Sequence, residues 1–142
     1  MVMRKVLFAL LLACGALPAA AQEARPFDAT IHDDEHKIYI KMDLYDKDIS
    51  VPGQDVLGKV DGYIGSKQSR TTWMIISSTL IDERTAELEV VNDYGSEDFT
   101  AELKANHDGT YTYRKKDGST LKFAVKGKWQ KIPSRVEFRK EK

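Results

Sequence analysis

The chain has 142 residues, 42% hydrophobic and 31% charged, with 22 Lys+Arg balanced by 22 Asp+Glu. That length suits one ordinary domain with a core of its own, and the single cysteine, Cys14, excludes a disulfide framework. The neutral sum conceals a split: residues 22–110 hold 19 acids and 9 bases, −10, whereas residues 111–142 hold 3 acids and 11 bases, +8.

Residues 1–21, MVMRKVLFALLLACGALPAAA, read as a cleaved secretory signal of bacterial form. Arg4 and Lys5 supply the positive start, the apolar run that begins at Val6 is too short to span a bilayer, and Ala19, Ala20 and Ala21 present small residues before Gln22. Cleavage there leaves a secreted or periplasmic chain with 20 bases against 22 acids, a net charge of −2, and no cysteine. A rival reading takes residues 11–14, Leu-Leu-Ala-Cys, as a lipobox that anchors the protein to a membrane through Cys14. Nothing after residue 21 is apolar enough for a transmembrane span.

Residues 22–36 read as an N-terminal arm ahead of a single domain over 37–142. The arm contains IHDDEHK at 31–37, where His32 and His36 would align for a transition metal if the stretch were a helical turn; a solvated linker is the competing account. From Lys37 onward the apolar period is two, the pattern of half-buried strands whose successive side chains point to opposite faces. Eight strands are predicted, near 37–45, 56–64, 71–80, 85–91, 99–105, 110–115, 120–126 and 134–140. Ile38, Ile40 and Met42 share the inward face of the first, Leu88 and Val90 that of the fourth, Leu121, Phe123 and Val125 that of the seventh. Asp108-Gly109 and Asp117-Gly118 mark tight turns, and VPGQ at 51–54 a β-turn. The third strand breaks the alternation, being apolar on both faces at Trp73, Met74, Ile75 and Ile76. The arm, with Phe27 and Ile31, is expected to cover its second face, with a partner or a second copy of the chain as the alternatives.

No segment carries a sustained helical repeat, so the expected fold is all-β: an antiparallel meander barrel of about eight strands, with a two-sheet β-sandwich as the alternative. Glycines 58, 62 and 65 suit the bends of a small barrel. In architecture this resembles the lipocalin and calycin group of small exported barrels. That group carries a Gly-x-Trp near its first strand; here the triplet occurs as Gly127-Lys128-Trp129, before the last. The resemblance implies a carrier of a small apolar ligand.

Two features bear on function directly. The loop NDYGSEDF at 92–99 gathers Asn92, Asp93, Ser96, Glu97 and Asp98, which suits a tight acidic turn, a partner-contact tip including Tyr94, or a calcium site. Arg114, Lys122, Lys126, Arg135 and Arg139 all fall on outward strand positions and are expected to form one positive face. No nucleophile motif or phosphate-cradling loop accompanies the three histidines, so no enzyme activity, cofactor or metal is expected. The function expected is an exported binding module for a protein or anionic envelope partner, with a lipocalin-like carrier of a small apolar ligand as the alternative. Export and the lack of a nucleic-acid-stacking aromatic pattern argue against nucleic acid.

Overall fold

The computed structural model describes residues 25–54, 56 and 58–141. The signal segment, the cleavage site before Gln22 and the lipidation candidate Cys14 lie outside the described residues. Over these the alternating pattern becomes twelve strands: β1 (Asp28–Asp33), β2 (Ile38–Asp43), β3 (Ile49–Ser50), β4 (Lys59–Val60), β5 (Gly62–Ser66), β6 (Ser69–Asp82), β7 (Thr85–Asn92), β8 (Asp98–Ala105), β9 (Thr110–Gly118), β10 (Lys122–Val125), β11 (Lys128–Lys131) and β12 (Arg135–Lys140).

Eight of them close an antiparallel barrel in the order β1-β12-β9-β8-β7-β6-β5-β2. Each barrel strand pairs with the next barrel strand along the chain, and β12 returns to β1 through Ile31↔Lys140 and His32↔Arg139. The fold is therefore an all-β meander barrel. Closure gives every barrel strand two neighbours and removes the free edges of an open sheet. Two short ribbons interrupt the meander: β3–β4 between β2 and β5, and β10–β11 between β9 and β12.

Period two sets the core. Ile38, Ile40, Ile64, Ile75, Leu88, Val90, Leu103, Tyr113 and Phe138 all point inward and are buried. Each such side chain contributes about 1.5–3 kcal/mol relative to exposure. The rings of Trp73, Phe99, Tyr113 and Phe138 form a continuous series, with successive centroids 5.4, 6.4 and 6.2 Å apart. That series occupies the interior with side chains, as barrels of this strand number allow. Burial there pushes the Tyr113 hydroxyl well above its ordinary pKa.

Three sequence expectations are corrected. First, the segment expected as an arm supplies β1, and Phe27 just before it turns into one end of the barrel. There the Phe27 N–H donates to the Tyr45 hydroxyl at 3.0 Å, its carbonyl accepts from the Leu44 N–H at 3.1 Å, and its ring meets Tyr111 edge-on at 6.4 Å. A barrel end needs an apolar stopper more than an outer face needs a cover, and Phe27 is the stopper. Second, residues 120–126 leave the barrel: β10 pairs only with β11, in register Phe123↔Gln130 and Ala124↔Trp129. β9 and β12 pair directly where that strand was expected, and β1 supplies the eighth barrel strand between β12 and β2. Third, the β3–β4 ribbon rather than the arm covers the outer face of β6, and only around Met74; Ile76 stays 45% exposed. Val51, Val60, Tyr63 and Met74 form a second, smaller core with Tyr39, Ile49 and Val91.

One glycine makes this wall possible. A Cβ at Gly65 would lie 2.5 Å from the Tyr39 ring, so only glycine lets that ring lie across β5, where the register with β6 also slips between Ile64 and Ser66.

Candidate functional site

The end of the barrel opposite Phe27 collects the turn at 34–37, the turn at 67–68, the loop at 93–97 and the β10–β11 ribbon. The ribbon lies across this end as a lid. Its inner face supplies Phe123, and its flanks supply Leu121 and Ile132, all buried in the main core. Three polar contacts fix it. The Trp73 indole N–H in β6 donates to the Lys122 carbonyl at 2.9 Å, the Gln130 amide donates to the His36 carbonyl at 3.1 Å, and the Lys122 ammonium lies 3.3 Å from a Glu97 carboxylate oxygen. Wall, hairpin turn and acidic loop are thus each tied to the lid.

The lid's turn and periodicity decide what it shows to solvent. Lys126 (φ 52°) and Gly127 (φ 78°) both sit in the left-handed region, which matches a two-residue hairpin turn. Phe123 and Gln130 then face the barrel, while Ala124 and Trp129 face outward. Trp129 is 58% exposed, and the Lys122 ammonium lies 4.9 Å from its ring centroid. Lys126, Lys128 and Lys131 are exposed on the same ribbon and, among the described residues, form no ion pair. Lys122 and Lys131 stand directly opposite each other, an unfavourable like-charge pair that Glu97 and the indole ring partly offset for Lys122.

The acidic loop is organised by Asn92, which is buried. Its side-chain oxygen accepts the backbone N–H groups of Ser96 at 2.9 Å and Glu97 at 3.2 Å, and its amide donates to the Ser96 hydroxyl at 3.1 Å. Two of the oxygens that a calcium ion would need are therefore engaged by the loop itself. Among the described residues, the acidic side chains that converge in threes are Asp43, Asp46 and Asp48. That group caps its own turn through Asp43 and faces the Arg25 guanidinium, 3.6 Å from Asp43 and 3.3 Å from Asp46. Of the loop residues singled out from sequence, Glu97 reaches Lys122, Tyr94 stands 87% exposed, and Asp93 and Asp98 flank them.

The single positive face divides. Arg114 and Arg135 are paired across β9 and β12, and Arg114 bonds Glu102 at 3.3 Å. Arg139 lies beside His32 at the β1–β12 seam, and Lys122 and Lys126 belong to the lid. The cause is the departure of 120–126 from the barrel, which moves its lysines off the wall. The histidines divide too: His36 bonds Asp33 at 2.5 Å inside the turn, while His32 lies in β1 3.4 Å from Glu141. His32 sits in β1 and His36 in the turn that follows it, so the two imidazoles are not stacked on one face of a helical turn.

Sequence reasoning missed Lys128, Trp129 and Lys131 as surface residues. The signal was present: between residues 118 and 136 there are five bases and no acid, with one tryptophan among them. No protein-family model, curated protein or solved structure matches this chain.

Proposed function

We propose that the protein is an exported, non-enzymatic binding module that captures an anionic partner in the cell envelope through its lid. The observation that carries this reading is the β10–β11 ribbon, which carries four lysines and an exposed indole on a base tied to the barrel. The secretory form of residues 1–21 supports export. No helix among the described residues is long and apolar enough to cross a membrane.

A lipocalin-like carrier would need a hollow. Phe27 at one end, the lid at the other and touching rings between them weigh against a lumen site, so the reading places recognition on the surface. The test uses residues 22–142 and the host's envelope fraction. Wild type is expected to sediment with that fraction at low salt and to be released as salt rises. Lys126→Gln/Lys128→Gln/Lys131→Gln is expected to lose about 100-fold in retention, at about 1 kcal/mol per lysine near an anionic surface. Equal retention of the triple variant, with an unchanged melting temperature, would sink the reading.

A further inference from the structure

We infer that the anionic partner is a lipid surface, and that the β10–β11 ribbon is an interfacial anchor whose apolar element is Trp129. This rests on the proposed function and names the partner that the lid fits.

Register comes first. Trp129 pairs with Ala124 on the outward face of a two-stranded ribbon whose inward face is committed to the core through Phe123. Rotating the indole inward would expel Phe123, so its exposure is built into the ribbon. The small Ala124 opposite and Gly127 at the turn leave the ring standing above its neighbours.

Charge comes second. Lys122 lies 4.9 Å from the ring centroid, Lys131 shares the outward face with Trp129, Lys126 sits in the turn and Lys128 opens β11 beside it, and no acid occurs between residues 118 and 136. An indole has an apolar body and a polar N–H, which suits it to the headgroup level of a bilayer, and lysines beside it meet lipid phosphates.

The third observation adds a second ring from outside the ribbon. The exposed aromatic rings among the described residues are Trp129 and Tyr94, and both lie at this end of the barrel, joined through the Glu97–Lys122 contact. Two exposed rings thus lie at one end, and Lys122 contacts both the ring of Trp129 and the loop that carries Tyr94. An acidic protein partner would need a pocket shaped for each ring, whereas a lipid headgroup layer accepts both without one.

The chain contains its own reporter. Of its two tryptophans, Trp73 is buried at 1% exposure and Trp129 is 58% exposed, so a change of indole emission on binding reads Trp129. The experiment titrates residues 22–142 with vesicles of mixed phosphatidylglycerol and phosphatidylcholine, with pure phosphatidylcholine vesicles, and with soluble heparin as a lipid-free polyanion. Expected are co-sedimentation and a blue shift with the anionic vesicles only. Trp129→Ala should abolish the shift and weaken vesicle binding about tenfold, consistent with loss of one interfacial ring. Circular dichroism and melting temperature should be unchanged, because the ring packs on nothing in the core.

Binding to heparin without a vesicle-induced blue shift would overturn the lipid inference and leave the anionic-partner reading standing. Binding to neither probe, together with no retention by the envelope fraction, would overturn both. Vesicle binding that Trp129→Ala leaves intact would also overturn the anchor.

Discussion

The indole N–H of Trp73, in the wall of the barrel, donates to the carbonyl of Lys122, in the lid, at 2.9 Å. This bond crosses from one sheet to another and makes the lid part of the core rather than an appended loop. Trp73→Phe keeps an aromatic ring but leaves the Lys122 carbonyl without its donor. The expected loss is about 1–3 kcal/mol, the cost of an unsatisfied buried acceptor plus a small void. Chemical denaturation would measure it, and amide exchange should quicken over residues 122–131 before the barrel strands respond. Uniform exchange across lid and barrel would contradict the assignment of this bond as the lid's tether.

The acidic loop should prove robust to loss of its charge and fragile to loss of its asparagine. Asn92→Ala removes three hydrogen bonds from a buried side chain and is expected to cost about 2 kcal/mol. Changing Asp93→Asn, Glu97→Gln and Asp98→Asn together removes one contact, Glu97 with Lys122, between side chains that are 34% and 24% exposed. Its cost should stay below about 1 kcal/mol. Thermal melts of the two variants decide the matter. A triple variant that melts far below Asn92→Ala, or wild type stabilised by added calcium, would show that the carboxylates do more than decorate a turn.

The barrel was legible because period two is local: Ile38, Ile40, Leu88, Val90 and Phe138 point where alternation says they must. What was not legible was which strands close it. Residues 28–33 and 120–126 are both short alternating segments, and the choice of the first rests on Phe27 finding Tyr45, Leu44 and Tyr111 far along the chain. Such contacts have no signature in spacing. The lid followed from the same choice, and with it the separation of Lys122 and Lys126 from Arg114, Arg135 and Arg139. The acidic loop was read as a turn from its composition, yet its bond to the lid depends on the departure of β10 from the wall.

Asp61, directly after β4, is a buried carboxylate near the Phe27 end of the barrel, and two groups satisfy it. The Lys47 ammonium lies 2.8 Å away and the Ser78 hydroxyl 2.5 Å. Their worth is unequal, because the Asp61 side chain is 7% exposed and that of Lys47 46%. When Asp61→Asn removes the negative charge, Lys47 can turn to water, and the expected cost is about 1–2 kcal/mol. Lys47→Met instead leaves a buried carboxylate with one donor, and about 2–3 kcal/mol is expected after discounting for the lysine's exposure. The double variant should cost less than the two singles combined, since the second change removes the charge the first stranded. A double-mutant cycle by urea denaturation measures this; strict additivity would mean the pair is not coupled.

Alkaline pH should unfold the barrel through its tyrosines. Burial raises the hydroxyls of Tyr45, Tyr63, Tyr111 and Tyr113 above their usual value of 10.0. In the unfolded chain these groups release their protons near that ordinary value, whereas the folded chain keeps them. The stabilisation is therefore complete below about pH 10 and is lost as pH rises beyond it toward the folded-state values, because the unfolded state then binds fewer protons than the native one. Tyr113 contributes most, since its hydroxyl lies deepest among the interior rings. Tyrosinate absorbance from these four should lag behind the ordinary titration and develop together with the loss of the far-ultraviolet β signal. Tyr113→Phe should make the alkaline loss of stability less steep by one proton. All six tyrosines of the chain ionising near pH 10 while the β signal stayed native would show that these hydroxyls reach water without unfolding.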